Sequence, residues 1–183
     1  MTILVLTALD AELDIARAPA GIEIRFTGVG KINTTIATLL AVQAKRPSLV
    51  INYGTAGNIK ESLRGLVEVA HVIQRDMNAE PLAPRGTTPY ATELDRLSSG
   101  HGDAICGTGD SFVTSTDPWL VANKVDVVDM ELFAIAQVAL RHTISWRAFK
   151  FITDDANDFA HEHWTANVAD GQQLFWDAVK HLL

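Results

Sequence analysis

Two carboxylates flank a methionine at the point where a predicted apolar strand ends and a predicted helix begins. Asp129 and Glu131 stand on either side of Met130, after the apolar residues Val125, Val127 and Val128 and at the start of a helical pattern. Carboxylates at the carboxyl end of a strand in an α/β sheet lie at the crevice in which such folds bind ligands. Acids are also common at helix starts, where the helix dipole stabilises negative charge. We therefore predict that Asp129 is a helix-start acid and that Glu131 is the better candidate for a site.

Five further polar or glycine-rich segments follow predicted strands in the same way. They are Thr7–Glu12, Gly28–Lys31, Gly54–Asn58, Gly107–Phe112 and Thr153–Asp158. The carboxyl ends of parallel strands gather at one edge of a sheet, so these segments are expected to share one pocket. Acids in a common pocket have their pKa values pushed apart, which suits acid and base roles. Asp154 is the first carboxylate after a buried strand, where loss of solvent raises the pKa and leaves a proton to donate.

The segment Gly28-Val-Gly-Lys31 does not fit a phosphate-binding loop of the Walker type. Such a loop needs a glycine five residues before the Gly-Lys pair and a Ser or Thr after it. This chain has Arg25 and Ile32 at those positions. One interpretation is a glycine turn whose free backbone N–H groups hold a polar ligand group. The other is a plain tight turn.

Composition narrows the function classes. The chain of 183 residues has a formal charge of −7, which argues against a nucleic-acid binder. No apolar run approaches the roughly 18 residues that span a bilayer, and the first residues do not have the pattern of a signal peptide. The single cysteine, Cys106, excludes an internal disulfide. His161 and His163 are spaced too closely to share a helix face, and no third ligand is apparent, so we expect no metal.

Short β-branched runs alternate with helical patterns, which is typical of an α/β sheet covered on both faces. The predicted strands are Ile3–Thr7, Glu23–Thr27, Leu49–Tyr53, Leu66–Gln74, Ala104–Gly107, Val125–Val128 and Arg147–Thr153. The predicted helices are Asp10–Arg17, Lys31–Ala44, Pro118–Asn123, Met130–Leu140 and Trp164–Leu183. In the second helix, Ile32, Ile36, Leu39 and Leu40 form one broad apolar face. The segment Met77–Gly102 is predicted to be a long loop.

These motifs, taken in chain order, resemble a known superfamily. They are Ala8 with Glu12, Gly28-Val-Gly-Lys31, Asn52-Tyr-Gly-Thr-Ala-Gly57, Gly109-Asp-Ser-Phe112, Val128-Asp-Met-Glu131 with Ala134-Ile-Ala136, and Thr153-Asp154. The chain resembles the nucleoside phosphorylase/nucleosidase superfamily, and most closely its methylthioadenosine/S-adenosylhomocysteine nucleosidases. The resemblance implies a single-domain, three-layer α/β/α fold over residues 1–183 with a central mixed, mostly parallel sheet. One departure is that the family's helix before Gly109 is shortened here to about Glu93–Gly102.

The resemblance implies hydrolysis of the N-glycosidic bond of a purine nucleoside. Asp154 resembles the general acid that protonates the purine at N7, and Glu12 resembles the carboxylate that orients and deprotonates the attacking water. Breaking this bond builds positive charge on the sugar and negative charge on the leaving base. An acid at the base and carboxylates near the ribose stabilise those charges.

The resemblance also assigns residues to substrate binding, which are Glu131, Met130, Phe112, Val113, Thr55 and Ala8. Glu131 is expected to accept hydrogen bonds from the ribose hydroxyls, with Met130 beneath the sugar. Phe112 is expected to stack on the base, and the backbone of Val113 to contact its edge. Thr55 and its turn are expected to line the water or anion site.

Water and phosphate are alternative attacking groups in this superfamily. Its phosphorylases clamp phosphate with arginines, whereas the loop Thr7–Glu12 carries acids that would repel phosphate. Hydrolysis is therefore favoured, although Arg25, Arg64, Arg75 and Arg85 keep a phosphate-dependent phosphorylase as an alternative. A catalytically silent nucleoside-binding domain is a third interpretation. We expect a cytoplasmic homodimer whose partner is a small-molecule purine nucleoside, with no cofactor, nucleic acid or membrane.

Overall fold

Eight strands and four α-helices lie in the described part of the chain, which comprises residues 2–60, 63–92, 94–115, 117–154 and 169–182 of a computed structural model. The strands are β1 Ile3–Thr7, β2 Ile22–Phe26, β3 Leu49–Asn58, β4 Leu66–Gln74, β5 Arg96–Ser98, β6 Ala104–Thr108, β7 Val127–Asp129 and β8 Ser145–Asp154. The helices are α1 Lys31–Lys45, α2 Pro118–Ala122, α3 Leu132–Arg141 and α4 Gln172–Val179. Within this part, no helix is long and apolar enough to cross a bilayer.

The strands form a mixed sheet with more parallel than antiparallel pairings, as predicted. β2, β1, β3 and β8 pair in parallel, and so do β4, β6 and β7. Antiparallel pairing of β8 with β4, and of β7 with the last residues of β3, joins the two groups into a closed ring. β3 is long enough to serve both partners, because Gly57 pairs with β8 and also with Val128 of β7. This closure brings β7 beside the end of β3, which no pattern in the sequence indicated.

The side chains of β1 alternate between two apolar clusters, one on each face of the sheet. Leu4 and Leu6 belong to a cluster that includes buried residues of α1 and α3. Ile3 and Val5 belong to a second cluster with α4, in which Phe175 stacks on Tyr53 at a ring distance of 4.5 Å. This period of two follows from the alternation of side chains along a strand.

Helix α1 buries mainly small residues and leaves three of the four large residues of its predicted apolar face exposed. Its buried residues are Thr34, Thr38, Ala41 and Val42. Ile32, Ile36 and Leu40 are 74%, 55% and 62% exposed. Leu39, the fourth large residue of the predicted apolar face, is partly buried against the core cluster. The inward residues are small, and small side chains allow α1 to pack closely on α3 and the sheet.

One predicted helix and one helix implied by the resemblance are wrong. Over Asp10–Arg17 only a 3₁₀ turn, Ile15–Arg17, is present, because the chain before it wraps around the carboxylate of Glu12. The shortened helix that the resemblance implied at about Glu93–Gly102 is replaced by strand β5, which pairs antiparallel with β4 and also interrupts the predicted long loop Met77–Gly102. The predicted helix Trp164–Leu183 lies partly outside the described residues, and its described part contains α4.

Candidate active site

One cavity collects residues that follow β1, β6 and β7 and residues at the end of β3. Its lining includes Ala8, Glu12, Thr55, Phe112, Val113, Met130 and Glu131. These are all the predicted site residues except Asp154. Asp154 is the last residue of β8, and its backbone pairs with Gly57, which lines the cavity. The side chain of Asp154 lies outside the described part of the structure.

The carboxylate of Glu12 is buried and fully engaged. Its Oε2 accepts hydrogen bonds from Thr7 Oγ1 at 2.9 Å and from the backbone N–H groups of Ala8 at 3.0 Å and Leu9 at 3.1 Å. Its Oε1 accepts from both the N–H and the hydroxyl of Thr55, each at 2.9 Å. The carboxylate of Glu12 therefore already accepts the hydrogen bonds of Thr55, in the turn that we expected to line a water or anion site.

Glu131 is directed away from its own helix. It is the N-cap residue of α3 by backbone position, but its side chain does not cap that helix. Instead, Glu131 Oε1 accepts from the backbone N–H of Gly30 at 2.9 Å. Asp129 caps α3 in its place, since its Oδ2 accepts from the N–H of Leu132 at 2.8 Å. The prediction that Asp129 is a helix-start acid is thus confirmed, and the carboxylate of Glu131 remains at the cavity.

Burial gives Glu131 an unusual charge state. Removal from water and the negative charge of Asp129 raise the pKa of Glu131 to about 7, although Lys150 and the Gly30 N–H act in the opposite direction. Glu131 is 8% exposed. Near neutral pH its carboxyl group is therefore divided between protonated and ionised forms, a state often found at functional sites.

Below the cavity, Asp129 forms a fully buried ion pair with Lys150. The distance from Lys150 Nζ to Asp129 Oδ2 is 2.7 Å, and the two side chains are 1% and 0% exposed. Asp129 Oδ1 also accepts from the hydroxyl of Thr108 at 2.6 Å and from the thiol of Cys106 at 3.3 Å. Burial opposes both charges, but the mutual attraction lowers the pKa of Asp129 and raises that of Lys150.

The sequence interpretation missed Lys150. A signal was available, because this lysine stands inside the apolar run Phe149–Ile152 of a predicted buried strand. A lysine is almost never fully buried unless it is paired. Its position therefore required an acid close in space, although no pattern identified Asp129 as that acid.

Arg75 is, after Lys150, a second residue of the site that the sequence interpretation missed. It lines the cavity, and its guanidinium group donates to the carbonyls of Gly107, Gly109 and Ser111 and to the Ser111 hydroxyl. A Cβ atom at Gly109 would lie 2.9 Å from Arg75 Cζ, so a larger residue there would displace the guanidinium group. Burial lowers the pKa of Arg75. The guanidinium group is therefore engaged with the loop that carries Phe112.

The glycine turn before α1 does not offer free N–H groups at Gly30 and Lys31. The N–H of Gly30 binds Glu131, and the N–H of Lys31 donates to Asp110 Oδ1 at 2.7 Å. The helix dipole favours such negative groups at this end of α1. The interpretation of these two groups as a ligand site was therefore wrong, because carboxylates of the protein already fill it.

The remaining arginines considered for phosphate have partners elsewhere. Arg25 pairs with Glu23, Arg85 pairs with Asp117, and Arg64 donates to the carbonyl of Leu63. The part of the chain that the structure describes contains no group of three His, Cys, Asp or Glu side chains that could hold a metal ion. His161 and His163 lie outside that part.

Comparison with curated proteins finds relatives with one consistent name. A 5′-methylthioadenosine/S-adenosylhomocysteine nucleosidase of Staphylococcus haemolyticus is 28% identical over 153 residues, covering 72% of this chain and 67% of the relative. The protein of the same name in Shewanella piezotolerans is 29% identical over 171 residues, covering 79% of this chain and 74% of the relative.

Solved structures share the fold at lower identity. A mutant of Helicobacter pylori MTAN with 5′-methylthioadenosine in its active site has a TM-score of 0.87 and 18% identity, covering 100% of this chain and 99% of that one. The futalosine hydrolase of Helicobacter pylori has a TM-score of 0.80 and 20% identity, covering 92% and 91% of the two chains. A family model described as the phosphorylase superfamily matches residues 24–183. The chain therefore belongs to the phosphorylase superfamily.

Proposed function

We propose that this chain hydrolyses the N-glycosidic bond of a purine nucleoside and releases the free base and the sugar. The observation that carries the proposal is the convergence of two buried carboxylates, Glu12 and Glu131, on one cavity with Met130 and Phe112. The curated relatives named above are 5′-methylthioadenosine/S-adenosylhomocysteine nucleosidases, and we extend that substrate class to this chain. Carboxylates at the sugar stabilise the positive charge that develops as the bond breaks.

Glu12 is proposed to orient and deprotonate the attacking water. Five donors fix its carboxylate, and two of them are hydroxyls, from Thr7 and Thr55. A hydroxyl can rotate away from an oxygen, whereas the backbone N–H groups of Ala8 and Leu9 cannot. The Thr55 hydroxyl is therefore the donor that a water molecule replaces at Glu12 Oε1 in this proposal.

Substrate is proposed to lie between this water and the opposite groups of the cavity. Glu131 accepts hydrogen bonds from the ribose hydroxyls, Met130 packs beneath the sugar, and Phe112 stacks on the base. The backbone of Val113 contacts the edge of the base. Asp154 donates a proton to N7 of the leaving purine. General acid catalysis of this kind contributes about 10²- to 10⁴-fold to the rate.

Two observations support water over phosphate as the attacking group. The Thr55 turn, a natural anion site, already binds the carboxylate of Glu12, and a second anion there would be repelled. Arg75, which lines the cavity, has its guanidinium engaged with the carbonyls of Gly107, Gly109 and Ser111. A phosphorylase needs cationic groups that are available to phosphate.

The test is product analysis with a nucleoside panel that includes 5′-methylthioadenosine, S-adenosylhomocysteine, adenosine and inosine. Each is incubated with the protein in the presence and absence of inorganic phosphate. Hydrolysis gives base and free sugar in both conditions. Base release that requires phosphate and yields sugar 1-phosphate would establish the phosphorylase instead. Binding without base release would establish the catalytically silent domain.

The role of Asp154 is tested by Asp154→Asn. The expected result is loss of turnover with little change in the affinity for the nucleoside, because the amide keeps the size of the side chain but carries no acidic proton. Calorimetric titration measures the affinity, and base release measures the turnover. Near-normal turnover in this variant would remove Asp154 from the mechanism.

We also propose that residues 1–183 form one three-layer α/β/α domain, because helices pack against apolar clusters on both faces of the sheet. The exposed stripe of Ile32, Ile36 and Leu40 on α1 supports a homodimer in which a second copy covers it. Val29, which lines the cavity, is also 42% exposed at the start of this stripe. A cytoplasmic location is proposed with this assembly.

Light scattering after size-exclusion chromatography tests the homodimer. Ile36→Asp is expected to convert a dimer into a monomer, because it places a charge within the stripe. Val121→Asp is the matched control, since Val121 is 58% exposed on α2. A wild-type protein that is monomeric at every concentration would contradict the dimer.

A further inference from the structure

A cluster of one cation and two acids lies beside the cavity at the start of α1. Lys31 Nζ is 2.5 Å from Asp76 Oδ1, 3.0 Å from Gln74 Oε1 and 3.9 Å from Asp110 Oδ2. The two acids are also joined directly, because the backbone N–H of Asp110 donates to Asp76 Oδ2 at 2.8 Å. The side chain of Lys31 is 19% exposed. We call Lys31, Asp76 and Asp110 the rim cluster.

The rim cluster connects two elements that the proposed function needs in a defined relative position. One is the start of α1, where the Gly30 N–H holds Glu131 and the next N–H, of Lys31, holds Asp110. The other is the loop after β6, in which Asp110 precedes Ser111, Phe112 and Val113, three residues that line the cavity. The ammonium group of Lys31 thus ties the side of the cavity that carries Glu131 to the side that carries Phe112.

Arg75 holds the same loop from the opposite, buried side. Its guanidinium group binds the carbonyls of Gly109 and Ser111, and Asp76 is its direct neighbour in the chain. On the outer side the loop is held by Asp110 through Lys31 and Asp76. Without the ammonium group, Asp76 and Asp110 would face each other with like charges and no cation between them. Their repulsion would then act against the two backbone hydrogen bonds, from the N–H of Lys31 and the N–H of Asp110, that still hold the loop.

We propose that Lys31 is a positioning residue, which sets the loop Gly109–Val113 against Glu131 and so aligns base and ribose for cleavage. This inference rests on the proposed function. Lys31 touches no reacting atom, and its action passes through Asp76 and Asp110. Burial would raise the pKa of Asp76, but the hydrogen bonds from Lys31 and from the Asp110 N–H lower it, as expected of an ionised partner.

The kinetic test compares Lys31→Met with Lys31→Arg on the nucleoside that the wild-type protein cleaves fastest. Lys31→Met is expected to raise KM by about tenfold while kcat falls by less than about twofold, since a displaced loop loses contacts with the nucleoside that the ground state and the transition state share. Lys31→Arg retains a cation between the acids and is expected to restore KM. A merely structural defect would reduce the amount of active protein and leave KM unchanged. An unchanged KM in Lys31→Met would overturn the inference.

The matched control is Lys45→Met, at the other end of the same helix. Lys45 pairs with Glu23 at 2.8 Å, so the substitution also removes one lysine from one ion pair. It is expected to leave KM and kcat at their wild-type values. An equal rise in KM in both variants would show a general effect of α1 and contradict a specific role for Lys31.

Hydrogen–deuterium exchange provides a readout that needs no substrate. In the ligand-free protein, amides of the segment 109–113 are expected to exchange faster in Lys31→Met than in the wild type or in Lys45→Met. Unchanged exchange would overturn the inference even if nucleosides are cleaved. Faster exchange in a protein that cleaves no nucleoside would support the positioning of the loop and refute the proposed function alone.

Discussion

Two groups of charges lie near the cavity, and they differ mainly in their access to water. The floor pair, Asp129 and Lys150, has side chains that are 0% and 1% exposed. The rim cluster of Lys31, Asp76 and Asp110 has side chains that are 19%, 28% and 44% exposed. Each group joins segments that are distant in the sequence. The comparison separates charges that support the fold from charges that adjust the site.

The difference follows from solvation. Two charges removed from water each lose several kcal/mol of solvation free energy. Their mutual attraction compensates for that loss only while both charges are present. A partly exposed pair loses less solvation, and water and salt screen its attraction. Removal of one partner should therefore damage the floor pair strongly and the rim cluster weakly, whatever their importance for activity.

Breaking the floor pair is the largest expected effect. Lys150→Met leaves the Asp129 carboxylate buried without its cation, and the expected loss in the free energy of unfolding is about 3–5 kcal/mol. Adding Asp129→Asn removes the unpaired charge, so the double variant should recover part of that loss. Urea denaturation of the single and double variants measures both values. A double variant that is less stable than the sum of its singles would contradict a compensated pair.

Glu131 is expected to give a pH dependence of intermediate size. Its pKa of about 7 lies above the usual value of 4.5, so the folded protein keeps this proton over a range in which the unfolded chain has lost it. Stability relative to Glu131→Gln should therefore fall as pH rises from about 4.5 to 7, by on the order of 3 kcal/mol, and then level off. Parallel stability curves for the two proteins would contradict this value.

For Asp129 we expect a pH dependence of stability with the opposite sign. Its pKa is lowered in the folded protein, so its contribution to stability is present above the unfolded value and is lost as pH falls through the folded one. Glu131 and Asp129 are two residues apart, and both lose solvent on burial. The ion pair and hydrogen bond with Lys150 outweigh that loss for Asp129, whereas burial and the charge of Asp129 both raise the pKa of Glu131 and Lys150 opposes them only in part.

Breaking the rim cluster is expected to have the smallest effect on stability. Lys31→Met should lower the free energy of unfolding by less than about 1 kcal/mol, as is usual for partly exposed pairs. Urea denaturation beside Lys45→Met, whose ion pair is more exposed, should show a loss of similar or smaller size. A loss as large as that of Lys150→Met would mean that the rim cluster supports the fold. A change in KM would then report a general loss of structure and would contradict a specific effect on the loop Gly109–Val113.

Much of the fold was predictable because the sequence pattern of a strand lies within a few neighbouring residues. β1 and β4 have the bounds that the sequence predicted, and the ends of β6 and β8 differ by one or two residues. The prediction failed where distant partners decide the local structure. Glu12 in the 10–17 segment accepts hydrogen bonds from Thr55, 43 residues away, and β5 forms because β4 lies beside it.

The residues of the candidate site were predictable from the sequence, whereas their hydrogen bonds and ion pairs were less so. Seven of the eight predicted residues line one cavity, and the side chain of the eighth, Asp154, lies outside the described part. Their assigned roles stay predictions until the kinetic tests are made. Arg75 and Lys150 were missed because their partners lie 32 or more and 21 residues away in the chain.

The sequence by itself determined the order of strands and turns and the placement of acids after buried strands. These properties depend on side-chain periodicity and on the conformational needs of glycine, which act over a few residues. Only the tertiary structure decided which acid is paired, which is raised in pKa, and which face of α1 meets the core. Those outcomes depend on solvation and on neighbours that the chain brings together only when it folds. The carboxylates of Glu12, Asp129 and Glu131 are chemically similar, and their surroundings make them different.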